Sequence, residues 1–148
     1  MKQFENSRLW RVVLTAMLIP LAFVAFWPSP VDQPFQGQLA ALLKFLHRHG
    51  IPTWLNYTFV EASANVALFV PVGLVSSLAF PSWPWWKIGA FGFLISCCME
   101  LGQLLFLHNR FPSPLDLVTN TSGAVIGALL AAAALKQLQA RRLPAADL

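Results

Sequence analysis

Charge is scarce in this chain. Only 11% of its 148 residues are charged, against roughly 25% in soluble globular domains. With 57% hydrophobic residues and a mean hydropathy of +0.60, a soluble fold of this size could not hide its apolar surface. Cysteine is also nearly absent. Cys97 and Cys98 are neighbours within an apolar stretch, which excludes a disulfide framework and leaves buried packing as their expected role. His47, His49 and His108, the only histidines, form no metal-ligand spacing with the cysteines or with one another, so neither a metal nor another cofactor is expected. A nucleophile motif and a glycine-rich phosphate cradle are both missing, which weakens an enzymatic reading. Lys and Arg outnumber Asp and Glu by ten to six, yet the basic residues flank apolar runs and form no patch, which argues against nucleic acid.

What remains is a membrane protein read as one domain over 1–148. The six tryptophans, Trp10, Trp27, Trp54, Trp83, Trp85 and Trp86, stand near the ends of apolar runs, as an interfacial aromatic belt does. Four spans are expected, at about 10–27, 57–80, 88–107 and 115–135, the last three long enough for a ~30 Å hydrocarbon core. The first follows Lys2, Arg8 and Arg11 as a signal peptide would. No small-x-small cleavage site follows it, so it reads as an uncleaved helix kinked at Pro20. Between the first two spans, Leu39, Leu42, Leu43 and Leu46 recur opposite Gln38, Lys44, His47 and Arg48. This amphipathic helix, closed by Gly50 and Pro52, either lies along the membrane surface or caps the bundle. Four spans put both termini on one side, together with seven of the ten basic residues: Lys2, Arg8, Arg11, Lys87, Lys136, Arg141 and Arg142. The positive-inside rule makes that side cytoplasmic and the amphipathic helix extracytoplasmic. The expected architecture is thus an all-α four-transmembrane-helix bundle.

Orientation gives a set of polar residues a common depth. Glu61 and Asn65 (i, i+4), Glu100 and Gln103 (i, i+3), and Asp116 and Asn120 (i, i+4) each share a helix face, and at 1.5 Å per residue all six fall in roughly the outer half of the bilayer. Arg110 stands in the loop above them. Charges inside a bilayer cost at least ~2.5–3.5 kcal/mol, so the cluster reads as an outward-facing polar cavity. Asn120, Gly123, Gly127 and Ala131 continue the stripe of Asp116, and small residues there let a neighbouring helix approach. Plainer roles are open to each. Asp116 suits a helix N-terminus, Glu61 near an interface can be simply solvated, Asn65 can join helices, and Arg110 can be a loop charge or a structural partner of Glu100 or Asp116. Glu100, about two turns deep, is hardest to assign to such a role.

Two stretches resemble the VanZ-like family of small bacterial integral membrane proteins. Asn65, Phe69, Pro71 and Gly73 stand as in its N-x-x-x-F-x-P-x-G signature. Glu100 and Gln103, then Arg110, then Asp116, Asn120, Gly123 and Gly127 stand as in its E-x-x-Q, R and D-x-x-x-N-x-x-G-x-x-x-G run. The similarity covers about residues 57–130, and the short chain departs from members that carry an appended soluble domain. The resemblance implies residence in the bacterial cytoplasmic membrane and an envelope role; the founding member is associated with teicoplanin tolerance.

Two functions are expected from the cluster. One is capture or modulation of membrane lipids, a lipid-linked envelope precursor or a glycopeptide, with Arg110 on an anionic headgroup, Asn65, Gln103 and Asn120 as neutral partners, Glu100 and Asp116 holding Arg110 or sugar hydroxyls, and the amphipathic helix covering the site. The alternative is a hydrolase or transferase acting on an envelope lipid, with Glu100 as general base beside Asp116 or Glu61. Proton-coupled transport fits less well, because no charge lies in the inner half of the spans. The oligomeric state is not encoded in any of these patterns.

Overall fold

Turn chemistry sets where the helices begin and end. A computed structural model describes the backbone of residues 2–29, 32–107 and 113–142, and the side chains of all of these except 2–6 and 142. Its helices are α1 (Lys2–Ala25), α2 (Gln36–Arg48, entered through a 3-10 turn, Gln33–Phe35), α3 (Tyr57–Ala79), α4 (Trp85–Phe106) and α5 (Pro114–Arg142). No strand occurs among the described residues. Asn56 opens α3 by accepting the Phe59 amide on its side chain at 3.0 Å, the bond that makes Asn a strong N-cap. Pro114 occupies the first position of α5, where a missing N–H costs nothing. Gly50, at φ 91°, turns the chain out of α2 in a conformation that favours glycine.

The expected spans agree with the helices in number and shift at their ends. The span expected at 10–27 is the apolar part of a helix reaching back to Lys2 and continuing through Pro20 without a break. The third starts at Trp85, not residue 88, because Pro84 already has an extended N-cap backbone. The fourth runs on to Arg142 because its polar tail stays helical. Four helices, Ser7–Ala25 of α1, α3, α4 and Pro114–Arg141 of α5, are long and apolar enough to cross a membrane. Their outward faces carry large apolar side chains such as Val12, Phe23, Leu68, Leu94, Leu105 and Leu130.

α3 is the centre of the bundle, packing on α5, α1, α4 and α2. α5 packs most extensively on α3, then on α4, while α1 leans on α3. Gly123 lies against the Val66 carbonyl and Gly127 against the Val70 carbonyl, so α3 and α5 run parallel at backbone contact, and a Cβ at either glycine would overlap α3. Ala124 fits between Gly73 of α3 and Gly92 of α4, and a Cβ on either would collide with it. This is the close approach that small residues permit between helices in lipid, where packing replaces the hydrophobic drive. At one end of the bundle Arg11 donates its Nε–H to the Ala79 carbonyl at 3.2 Å and lies over the Phe80 ring at 5.2 Å, which itself stacks on Trp83.

Two expectations are corrected here. Cys97 is half-buried and Cys98 exposed, so the pair is not a core element. α4 turns Gly92, Ser96, Glu100 and Gln103 inward, and Cys98 falls on the opposite side of that helix. α2 does not cover the polar residues of α4 and α5 either. Among the described residues it packs only on the 3-10 turn and on α3, and His47, expected on its polar face, is half-buried and donates to the Leu55 carbonyl at 3.0 Å.

Candidate functional site

The inward face of α4 meets the first two turns of α5 through polar side chains. Ser96, Glu100 and Gln103 recur at i, i+4 and i+7, which puts them in one stripe, and all three are buried. The Glu100 side chain, 8% exposed, accepts the Ser113 backbone N–H at 2.7 Å, so a carboxylate of α4 holds the residue that leads into α5. Asp116 follows in the first turn of α5, half-buried, where an acidic residue suits the positive end of the helix dipole. One turn on, Asn120 is 5% exposed and donates its Nδ2–H to Ser96 Oγ at 2.9 Å. Ser96 passes its own proton to the Asp116 carbonyl at a long 3.5 Å. The order is Asn120, Ser96, Asp116 backbone, a short relay across the α4–α5 seam.

The first member of that series carries an unmet acceptor. Asn120 Oδ1 is enclosed and has no hydrogen-bond partner among the described residues. Nearby hydroxyls of α5 do not supply one, because Thr119, Thr121 and Ser122 donate to carbonyls of their own helix, Leu115, Leu117 and Val118, as such residues commonly do. An unsatisfied buried polar group costs about 1–3 kcal/mol. Ser76 Oγ on α3 is also enclosed and unpartnered.

The other expected residues are placed as follows. Gln103 donates its Nε2–H to the Ala25 carbonyl at 2.9 Å, tying the last turn of α1 to α4, and Phe26 beside it fits over Gly102. Asn65 is half-buried and Glu61 exposed, both on α3. Arg110 lies outside the described residues. By environment the set divides into buried Glu100, Gln103 and Asn120, half-buried Asp116 and Asn65, and exposed Glu61. Sequence reasoning missed Ser96, the residue that links α4 to α5. Its signal was position alone, one turn before Glu100 on the same face. Among the described residues no group of His, Cys, Asp and Glu could hold a metal ion.

Four apolar helices with a polar seam buried between two of them define a multi-pass α-helical membrane protein. The family model described as VanZ/LLP1 matches residues 7–136, nearly the whole bundle, and the chain belongs to that family. No curated protein and no solved structure gives a significant match.

Proposed function

We propose that the seam between α4 and α5 binds the headgroup of a lipid-linked or other amphiphilic cell-envelope component, reached from the outer leaflet of a bacterial cytoplasmic membrane with both termini cytoplasmic. The observation that carries this reading is Asn120 Oδ1, an enclosed acceptor with no donor among the described residues, on the seam that also carries Glu100 and Asp116. Such a group calls for an occupant, and acceptors of this kind call for hydrogen-bond donors: sugar hydroxyls or amides. Arg110, in the loop joining α4 to α5, supplies the complementary contact to a phosphate or carboxylate of the same headgroup. We assign Asn65 of α3 to the same site, and Gln103, which ties α1 to α4, to its α1 side. Because Oδ1 is enclosed here, binding is coupled to a local opening of the seam. The orientation rests on the excess of basic residues at the end of the bundle that carries both termini.

Acid–base catalysis is the weaker reading. Glu100 anchors the Ser113 amide, which is the work of a positioning group. A catalytic base would be abolished by Glu100→Gln with lipid binding intact. A binding site predicts that Glu100→Gln weakens binding itself.

The test is native mass spectrometry of the protein extracted with its own membrane lipids, comparing wild type with Arg110→Ala, Glu100→Gln and Asn120→Leu. A specific lipid retained by wild type and lost from the variants supports the site. The same bulk lipid on all four proteins overturns it. Where the retained species is a wall precursor, expression is expected to raise teicoplanin tolerance, read as the inhibitory concentration.

A further inference from the structure

The surface of α2 divides into three sectors, and the division names its surroundings. At about 100° per residue, the half-buried or buried Gln36, Leu39, Leu43, Leu46 and His47 form the side turned to the protein. Lys44 and Arg48, both exposed, fall on a second side. Leu42 and Phe45, 53% and 57% exposed, fall on a third, with Phe35 of the preceding turn continuing it; exposed Gln38 shares this side one turn before Leu42, where its long side chain can reach the headgroup level. The rotation of the helix is fixed by tertiary bonds. Asp32 Oδ2 accepts from both Tyr57 Oη and Gln36 Nε2, which ties the entry of α2 to the head of α3, and His47 holds the Leu55 carbonyl. The apolar side therefore cannot turn inward.

We infer that α2 lies in the plane of the membrane surface, with Phe35, Leu42 and Phe45 immersed among lipids and Lys44 and Arg48 set against anionic headgroups. Lipid is the occupant for two reasons. Exposed apolar side chains recur on the segment that follows: Trp54 meets Phe59, itself exposed on the first turn of α3, edge-on at 5.1 Å, so the chain leaving α2 also presents aromatics outward. The cationic flank also matches the arrangement by which interfacial helices bind anionic bilayers, apolar side buried and Lys or Arg toward the headgroups. An exposed patch of this composition marks an interaction surface. The inference is independent of the α4–α5 site, which α2 does not touch among the described residues.

The test places spin labels on the full-length protein in a C97A/C98A background, at Leu42→Cys, Phe45→Cys, Lys44→Cys or Arg48→Cys. Vesicles are phosphatidylethanolamine with or without phosphatidylglycerol. Labels at 42 and 45 are expected to collide with oxygen more than with a water-soluble nickel chelate, at a depth of about 5–10 Å, and labels at 44 and 48 to show the reverse. Nickel access at all four positions would mean a helix standing in water. Shielding of 42 and 45 from both reagents would mean that a second copy or another protein covers them. Either result overturns the inference. Phosphatidylglycerol is expected to deepen the labels at 42 and 45, and Lys44→Gln with Arg48→Gln to abolish that response; an unchanged response would remove the headgroup contact.

Discussion

α5 makes two unlike seams. Against α3 it is bare backbone: Gly123 and Gly127 touch the carbonyls of Val66 and Val70, and Ala124 touches Gly73. Against the C-terminal half of α4 it is polar: Glu100 takes the Ser113 amide, Asn120 bonds Ser96, and among the described residues one oxygen is left over. The first seam is filled to contact by backbone and small side chains, although α3 also buries one unpartnered hydroxyl, Ser76 Oγ. The second holds two helices together while leaving an acceptor unmet, a cost of about 1–3 kcal/mol that a purely structural joint could have avoided with leucine. Tight packing and unfinished hydrogen bonding thus meet on one helix, and the proposed site lies at the second of its seams.

Breaking the dry seam is expected to do the most harm. Gly127→Leu forces a side chain into the Val70 carbonyl and the Leu74 amide, and its loss should reach or exceed ~3 kcal/mol, the upper end for overpacking, read by reversible unfolding in mixed micelles. Glu100→Gln alters the acceptor of the Ser113 amide at the head of α5 and should lower stability by about 0.5–1.5 kcal/mol in the same assay. Arg11→Ala, remote from both seams, removes the bond to the Ala79 carbonyl and the contact with Phe80. A loss near 1 kcal/mol is expected, partly restored by Arg11→Lys, which keeps the cation over the ring. Asn120→Leu sharpens the comparison most and disturbs the fold least. It removes the orphan with the bond to Ser96, so stability should stay within about 1 kcal/mol of wild type while lipid retention is lost. A loss as large as that of Gly127→Leu would make the polar seam structural.

Much of this was legible in the sequence. Four apolar runs with aromatic ends identify four spans, and Glu100 and Asn120 announce themselves as polar groups where lipid penalises them. Ser96 did not, because a serine in an apolar helix can satisfy itself on its own backbone and carries no signal until its partner across the seam is known. The glycine spacing of α5 foretold a close neighbour without saying which. That Gly123 meets α3, and that α3 runs parallel to α5, depends on how four helices share one small cross-section. The periodicity of α2 allowed two placements and did not show which residues meet the protein; Tyr57 on Asp32 and His47 on Leu55 fix its rotation, bonds between segments that no local pattern connects. Cys98 was misjudged for a related reason: an apolar run that faces both protein and lipid has no hydrophobic asymmetry to show which residues turn inward.

The parallel contact of α3 with α5 also orders events during synthesis. α3 and α4 leave the insertion machinery first, and until α5 arrives Gly73 and Gly92 have no Ala124 between them. The two early helices must wait in the lipid as separately stable spans, with a groove between them that only the last helix fills. Truncation before residue 114 should therefore yield inserted but unassembled helices, and the native bundle is complete only when α5 has entered the membrane.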